Sequence, residues 1–554
     1  MTHRRFGAAD LDPVLRGLSG PRVAVALDGF RLDSPAAPPG LAYPLGAISP
    51  DFNRRTEVVR GPLGTPHGHG ALGGIVAVRT KRREHLYPGT RGEGFAAGRF
   101  ATASGERSGY LSAQMNARKT FGLAAHAGAR QLGDVEDSGN REFHTAYRGE
   151  DFSVAGDTRL GDRFSIGVTA HRMIQDGVPV LGGRVEDRDW TLAMLALETE
   201  RLAAALRFAR VRVGYGEANV RTIRGAPDGE DAHLRMTRLS ALFETPAADF
   251  LRFIYGADYS GDTLGDGTDA RGFPAMPDGA IYRRAGAFFA PEISAGGAVR
   301  LRGGLRVERA EARANRIESP APIRVVDYGA AAVTWGASTL MRLSQNNSLV
   351  GGYERGFRFP TLAELAADDE PTVEQAGTAE VGWRMHYAFV KGALTAYHTW
   401  IDDPIGAGAD EARVRGVEWR FDGYLGINWN LGVTMAYQEG VLGDDDPLPG
   451  VPPFLGQTHL LWLSDTGTVG LDAAARFAGE QGRLAGGDEF SFGVRDGKLP
   501  PYFALDLRMM IRYASFLDVK LGALNLTGAR VWETGSTVPE TGPNFAAQAA
   551  FHFD

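Results

Sequence analysis

From Gly92 to the C-terminal end, apolar and polar side chains alternate with a period of two, in short segments broken by glycine, proline and asparagine. In Phe503 to Tyr513 the odd positions Phe503, Leu505, Leu507, Met509, Ile511 and Tyr513 are apolar, while Asp506, Arg508 and Arg512 occupy the other face. Leu111, Ala113 and Met115 stand likewise against Ser112, Gln114 and Asn116, and Phe545, Phe551 and Phe553 against Asn544, Gln548 and His552. Successive side chains of a strand point to opposite sides, so such segments set one face on lipid and the other in a wet lumen. No apolar run reaches the roughly 18 residues that a spanning helix needs.

A soluble sandwich or propeller also alternates, but the connections argue for a barrel. Tight turns near Leu160 to Asp162, Pro246 to Asp249, Ser294 to Gly297, Asn346 and Asn347, and Asp465 to Gly467 take turns with long polar stretches. Those include Gln131 to Gly149, Gly261 to Ala280, Gly356 to Gly377 and Gly479 to Pro500. Two unlike rims belong to outer-membrane barrels, and a count of about 22 segments is the size of a plugged one. The expected fold is all-β, a transmembrane antiparallel β-barrel over residues 83–554 with a partial plug domain, residues 1–82, in its lumen.

Composition agrees and excludes other classes. The 554 residues exceed one ordinary soluble domain, and Gly 74 with 10% aromatic residues suits many short strands. A mean hydropathy of -0.20 looks soluble only because every second strand residue would meet lipid. With Cys 0, disulfides, zinc-thiolate sites and cysteine nucleophiles are ruled out, and a net charge of -7 argues against nucleic acid as a partner. No Gly-x-Ser-x-Gly elbow or His-Glu-x-x-His helix is present, so no enzyme is expected.

The plug reading starts at TEVVRGPLGTPHGHGALGGIVAVRTK, Thr56 to Lys81. Its glycines Gly61, Gly64, Gly68, Gly70, Gly73 and Gly74 allow the tight folding that a small space inside a barrel demands. Upstream, Val23 to Leu27 reads as a strand ending in a turn at Asp28 and Gly29.

These stretches resemble the plug signatures of TonB-dependent outer-membrane receptors: LRGLSGPRVAVALDGFRLDS (Leu15 to Ser34), with Arg16, Gly17, Asp28 and Gly29, and the Gly-rich stretch, with Glu57, Arg60, Gly61, Pro62, Gly68, Gly70, Gly73 and Gly74. ERGFRFPTLAEL (Glu354 to Leu365) resembles the family's Phe-Arg-x-Pro box. AEVGWR and RGVEWR resemble its mid-barrel strands, and NLTGARVWETG with NFAAQAAFHF its C-terminal end. The likeness implies a receptor in the outer membrane of a Gram-negative bacterium. It would import a scarce ligand, a ferric siderophore, with energy from the TonB–ExbB–ExbD complex; haem, cobalamin or another metal are alternatives. Outer-membrane lipid and lipopolysaccharide would surround a monomer, no cofactor would be intrinsic, and the cargo would be a ferric chelate. The first signature lies close to Met1. A truncated form lacking the secretory signal, the TonB box and the first part of the plug is therefore expected, with a ligand-gated pore without energised transport as the alternative. A soluble adhesin or lectin is the reading from a different class.

The resemblance also implies that plug arginines meet carboxylates on the barrel wall. Alternation puts Glu380 and Glu418 on the lumen face, opposite Val381, Trp383, Val417 and Trp419, so Arg16 and Arg60 are expected to pair with Glu380 and Glu418 as a plug–barrel latch. His67 and His69 form H-x-H, which on a strand would present two imidazoles on one face and in a loop would leave them solvated or hydrogen-bonded; Arg141, His144 and Tyr147 in a long loop would offer donors to an anionic chelate or form a plain surface. Asp262, Asp266 and Asp269 resemble a calcium-loop fragment without the full ligand set and read as a solvated loop tip. Trp190, Trp400 and Tyr502 fit an interfacial girdle.

Overall fold

The computed structural model describes residues 2–7, 9–42, 44–80, 90–117, 120–180, 183–203, 206–225, 231–265, 279–317, 324–367, 372–486, 488 and 493–553. Among these, twenty-two spanning strands form one antiparallel barrel, from Arg91–Ala101 to Asn544–Phe553. The last strand pairs with the first, Ala546 against Ala101 and Phe553 against Gly94, so the sheet has no edge on which another chain could pair. The alternation read from sequence is realised in the wall: Val333 and Phe545 are 57% and 58% exposed on the outside, while Ala332 and Asn544 are buried within.

The wall is uneven in height. Strands from Phe164–Val180 to Arg324–Arg342 run 14 to 20 residues, the others 8 to 14. About 10 residues suffice to cross a bilayer, so the tall arc projects beyond it on the long-loop side. There its outward positions turn charged, with Arg309 beside Glu311 and Arg313 beside Asp327.

The N-terminal elements, Thr2 to Thr80, fill the bore. The border expected at residues 82 and 83 falls in 81–89, outside the described residues. A four-stranded sheet orders Phe30–Arg31, Val23–Leu27, Gly74–Thr80 and Asn53–Arg60, with the central pair parallel. Val23–Leu27 is apolar and buried throughout because it is covered on both faces. Asp28 and Gly29 take φ 52° and 94° and return the chain so that Leu27 faces Phe30, a two-residue hairpin turn. The segment after Phe30 packs Leu32, Ala36, Leu41 and Ala47 against wall residues Met173, Trp190, Leu234 and Met236. Trp190 therefore lies in the lumen core rather than at the interface, while Trp400 is exposed on the outer face. Asp262 is not in a solvated loop tip: the strand Leu251–Leu264 runs far enough to bury it, where it takes a hydrogen bond from plug Ser34 at 2.7 Å and pairs with Arg238. Asp266 and Asp269 lie outside the described residues.

Candidate functional site

The turn Leu15–Leu18 aims one side chain at the wall. Leu15 and Leu18 exchange backbone hydrogen bonds at 2.8 and 3.0 Å, and the residues between them, Arg16 and Gly17, take φ 51° and 77°. Arg16 Nη1 donates to Glu380 Oε2 at 3.0 Å, and Nη2 to Glu418 Oε2 at 3.3 Å. Arg60 Nη1 lies 3.3 Å from the same Glu418 oxygen. The Arg16 guanidinium also stacks over the Tyr397 ring, 4.2 Å from its centroid. Register explains the constellation: Glu380 faces Tyr397 across one strand pair, and Thr395 faces Glu418 across the next. Burial disfavours the charge on Arg16, but Glu418 and Glu380 outweigh it and raise its pKa, so the group stays cationic. Buried ion pairs add little net stability, yet losing one partner costs about 3–5 kcal/mol. The pairs therefore fix where the plug sits more than how stable it is.

A second set of ties joins the plug to the segment after Phe357. Gly70 N donates to Phe357 O at 3.1 Å, Phe359 N to His69 Nδ1 at 2.9 Å, and Leu362 N to Pro35 O at 2.7 Å. Tyr282 holds Pro360 O at 2.7 Å. Thr361 and Glu364 cap the short helix Leu362–Ala367 reciprocally: Thr361 N donates to Glu364 Oε2 at 2.7 Å, and Glu364 N to Thr361 Oγ1 at 3.3 Å. Beneath it Glu374, fully buried, accepts from Arg22 Nε at 2.6 Å, Arg358 Nη2 at 2.9 Å and Ile405 N at 2.9 Å. Arg358 also reaches Glu364 at 2.7 Å. The strand end, the helix and the plug thus share one buried charge network.

The rest of the Gly-rich stretch is shaped by close approaches. Gly61 N donates to Gly73 O at 2.9 Å, Pro62 packs against Gly356, and Glu57 is paired with Arg55. At Gly68, φ 69°, a Cβ would come within 2.2 Å of Glu308. On the short-turn side the plug sheet leaves a cavity of about 550 Å³, lined by plug residues such as Phe30, Arg31 and His67 and by wall residues such as Arg210, Arg238 and Arg302.

The sequence matches the description TonB dependent receptor-like, beta-barrel over residues 86–526, and TonB-dependent Receptor Plug Domain over residues 2–75. The chain belongs to the TonB-dependent receptor family. A curated relative, the vitamin B12 transporter BtuB of Vibrio vulnificus, is 20% identical over 400 residues, 71% of this chain and 61% of the relative's length. Among solved structures, the copper transporter OprC superposes with a TM-score of 0.87 at 19% identity, covering 100% of this chain and 93% of that one. The FrpB iron transporter of Neisseria meningitidis gives 0.84 at 13%, covering 100% and 94%. The ferric enterobactin receptor PfeA of Pseudomonas aeruginosa gives 0.79 at 14%, covering 100% and 94%. At these identities the likeness shows the fold.

In this receptor the expected ligand residues do not converge. His67 and His69 are not on a strand: His67 ends the helix Gly64–His67, and Gly68 turns the chain, so the two rings part. His67 borders the cavity, whereas His69 is buried and stacked on Phe359. Burial lowers the His69 pKa, aided by Arg284 and Arg31, and the crowded lumen with Arg31 and Arg306 lowers that of His67, so both rings are neutral. With Nδ1 of His69 accepting, its proton sits on Nε2. Tyr147, expected to face a ligand, is buried against Ala9 and Val178. His144 is exposed beside Asp134, and Arg141 lies over the Phe143 ring at 5.0 Å. The cavity that takes in His67 takes in none of these three. Tyr397, Arg22 and Glu374 went unread; alternation along Val390–Asp402 would have put Tyr397 inward, but only strand register shows that it meets Arg16.

Proposed function

We propose that this receptor takes up a scarce ligand too large for open pores, a ferric siderophore, and that the TonB–ExbB–ExbD complex supplies the energy by moving the plug. The observation that carries this reading is the plug sheet seated in a closed barrel and ion-paired to its wall through Arg16, Arg60, Glu380 and Glu418. A bore filled and latched in that way passes nothing large until the latch opens. The likeness to FrpB, an iron transporter, and PfeA, a ferric enterobactin receptor, supports iron as cargo. The test is expression in a Gram-negative host stripped of its own siderophore receptors, grown on one iron source at a time, with and without TonB. Growth on a ferric siderophore that needs TonB is the expected result. Uptake of haem, cobalamin or copper instead would move the ligand assignment, and TonB-independent uptake would mark an unenergised pore. Recovery of the protein without detergent would end the membrane reading.

A further inference from the structure

The cavity under the plug sheet differs in charge from the chain that builds it. The chain as a whole carries -7. The cavity lining holds seven arginines against two carboxylates, Asp258 and Glu354. Five of those arginines are gripped from behind: Arg31 by Asp33, Arg210 by Glu198, Arg238 by Asp262, Arg284 by Glu308 and Arg302 by Glu292. None of the five gripping carboxylates belongs to the lining. A carboxylate on one edge of a guanidinium fixes its plane and leaves N–H groups on the other edge for a second acceptor, except at Arg31, whose other edge already donates to His67 O and His69 O. The carboxylates behind balance five of the seven charges, and the wall offers the cavity an ordered row of guanidinium donors.

Arg238 carries the argument furthest. It is 9% exposed, its Nε donates to Arg31 O at 3.2 Å, and its Nη1 donates to Thr237 O at 3.0 Å. Its Nη2 has no hydrogen-bond partner among the described residues. A buried cationic N–H without an acceptor is costly, so an acceptor that reached this edge of Arg238 would gain a donor that is not already in use. A second polar space of about 400 Å³ shares Arg79, Arg210 and Arg212 with this cavity, but there Arg54 and Arg55 stand among Asp28, Glu57 and Glu198, so the arginine-rich lining belongs to the first cavity. We infer that this chamber is an anion site, taking a compact organic anion with two or more carboxylate or phosphate groups.

This site lies apart from the latch and from the buried Glu374 network. Its anion could be cargo in transit or a solute from the short-turn side, and the chemistry is the same for both. The test uses the full chain in detergent with citrate as probe, followed by titration calorimetry at low and high salt. The variant Arg210→Gln/Arg302→Gln leaves Glu198 partly solvated and Glu292 still paired with Arg252, so folding is retained. Its thermal midpoint checks this, and Arg210→Lys/Arg302→Lys is the charge-conserving control. Wild-type binding that weakens with salt, falls at least 10-fold in the Gln variant and falls less in the Lys variant is expected. No citrate binding by the wild type, or equal binding by the Gln variant, would overturn the inference. Displacement of citrate by the ferric chelate that supports growth assigns the site to cargo; displacement by inorganic phosphate alone assigns it to a solute from the other side. Intact citrate binding with no uptake of any chelate would remove the transport reading and leave this site standing.

Discussion

Arg16 concentrates the logic of this receptor in one side chain: a left-handed backbone, a nearly buried guanidinium, two carboxylates and an aromatic face. Arg16→Ala should loosen the seated plug by about 1–3 kcal/mol, because two charge-assisted hydrogen bonds are lost while Glu418 keeps Arg60 and the unpaired Glu380 is partly solvated. Arg16→Lys should recover part of that loss, since it keeps the charge but gives up the fork and the stack on Tyr397. Single-channel conductance in planar bilayers with rising urea checks both, the Ala variant opening first. A second residue gives a cleaner test of the plug's tie to the Phe357 segment. His69→Leu should leave the buried Phe359 N–H without its acceptor, at about 1–3 kcal/mol, and His69→Asn should restore most of it through a side-chain oxygen. Thermal unfolding of the two variants side by side decides the point.

At the scale of elements, the ties between plug and long-loop segments decide behaviour. Glu374→Ala would leave Arg22 without a carboxylate and Arg358 with Glu364 alone, at about 3 kcal/mol. Limited proteolysis should then cut within 359–367 where the wild type resists. On the other side of the rim, the segment 525–543 meets the N-terminal hairpin, with Thr537 N donating to Arg5 O at 2.8 Å. Burial, with Glu540 adding like charge, pushes Glu533 from 4.5 up to about 7 against the pull of Tyr502, Arg5 and Arg476. A carboxyl whose folded pKa is raised contributes stability that is full below about 4.5 and lost as pH rises to about 7. His3, pushed down by burial and by Arg5, works in the opposite sense, its contribution fading as pH falls from 6.5 toward 4. The difference between wild type and Glu533→Gln removes the His3 trend. The variant should match the wild type near pH 4.5 and exceed it above pH 7, read as slower hydrogen exchange over 525–543. The elements also show where the sequence was legible. Period-two alternation found the strand faces of Glu380 and Glu418 because each strand is read locally. The same logic failed at His67 and His69, where Gly68 breaks the period, and at Asp262, where a run of small and polar residues hides a strand that the plug covers.

For the whole molecule, closure is the property on which the rest depends. The chain has Cys 0, so engineered pairs report on register without background. Ala97→Cys/Ala550→Cys, directly opposed across the closing seam, should cross-link on oxidation, and Ala97→Cys/Phe551→Cys should do so far less, as seen by gel mobility. Equal cross-linking of both pairs would mean that the seam slips or stays open. Strand periodicity, loop lengths and the glycine-dense head determined, from the sequence alone, an all-β barrel of this size with a small domain inside it. Those signals are local, and each repeats many times. The tertiary structure decided what depends on register between strands far apart in the chain: that Tyr397 sits under Arg16, that Arg22 and Arg358 share Glu374, and that seven arginines gather around one cavity. No single segment carries that information. It appears only when the sheet closes and the height of each strand against its neighbours is set.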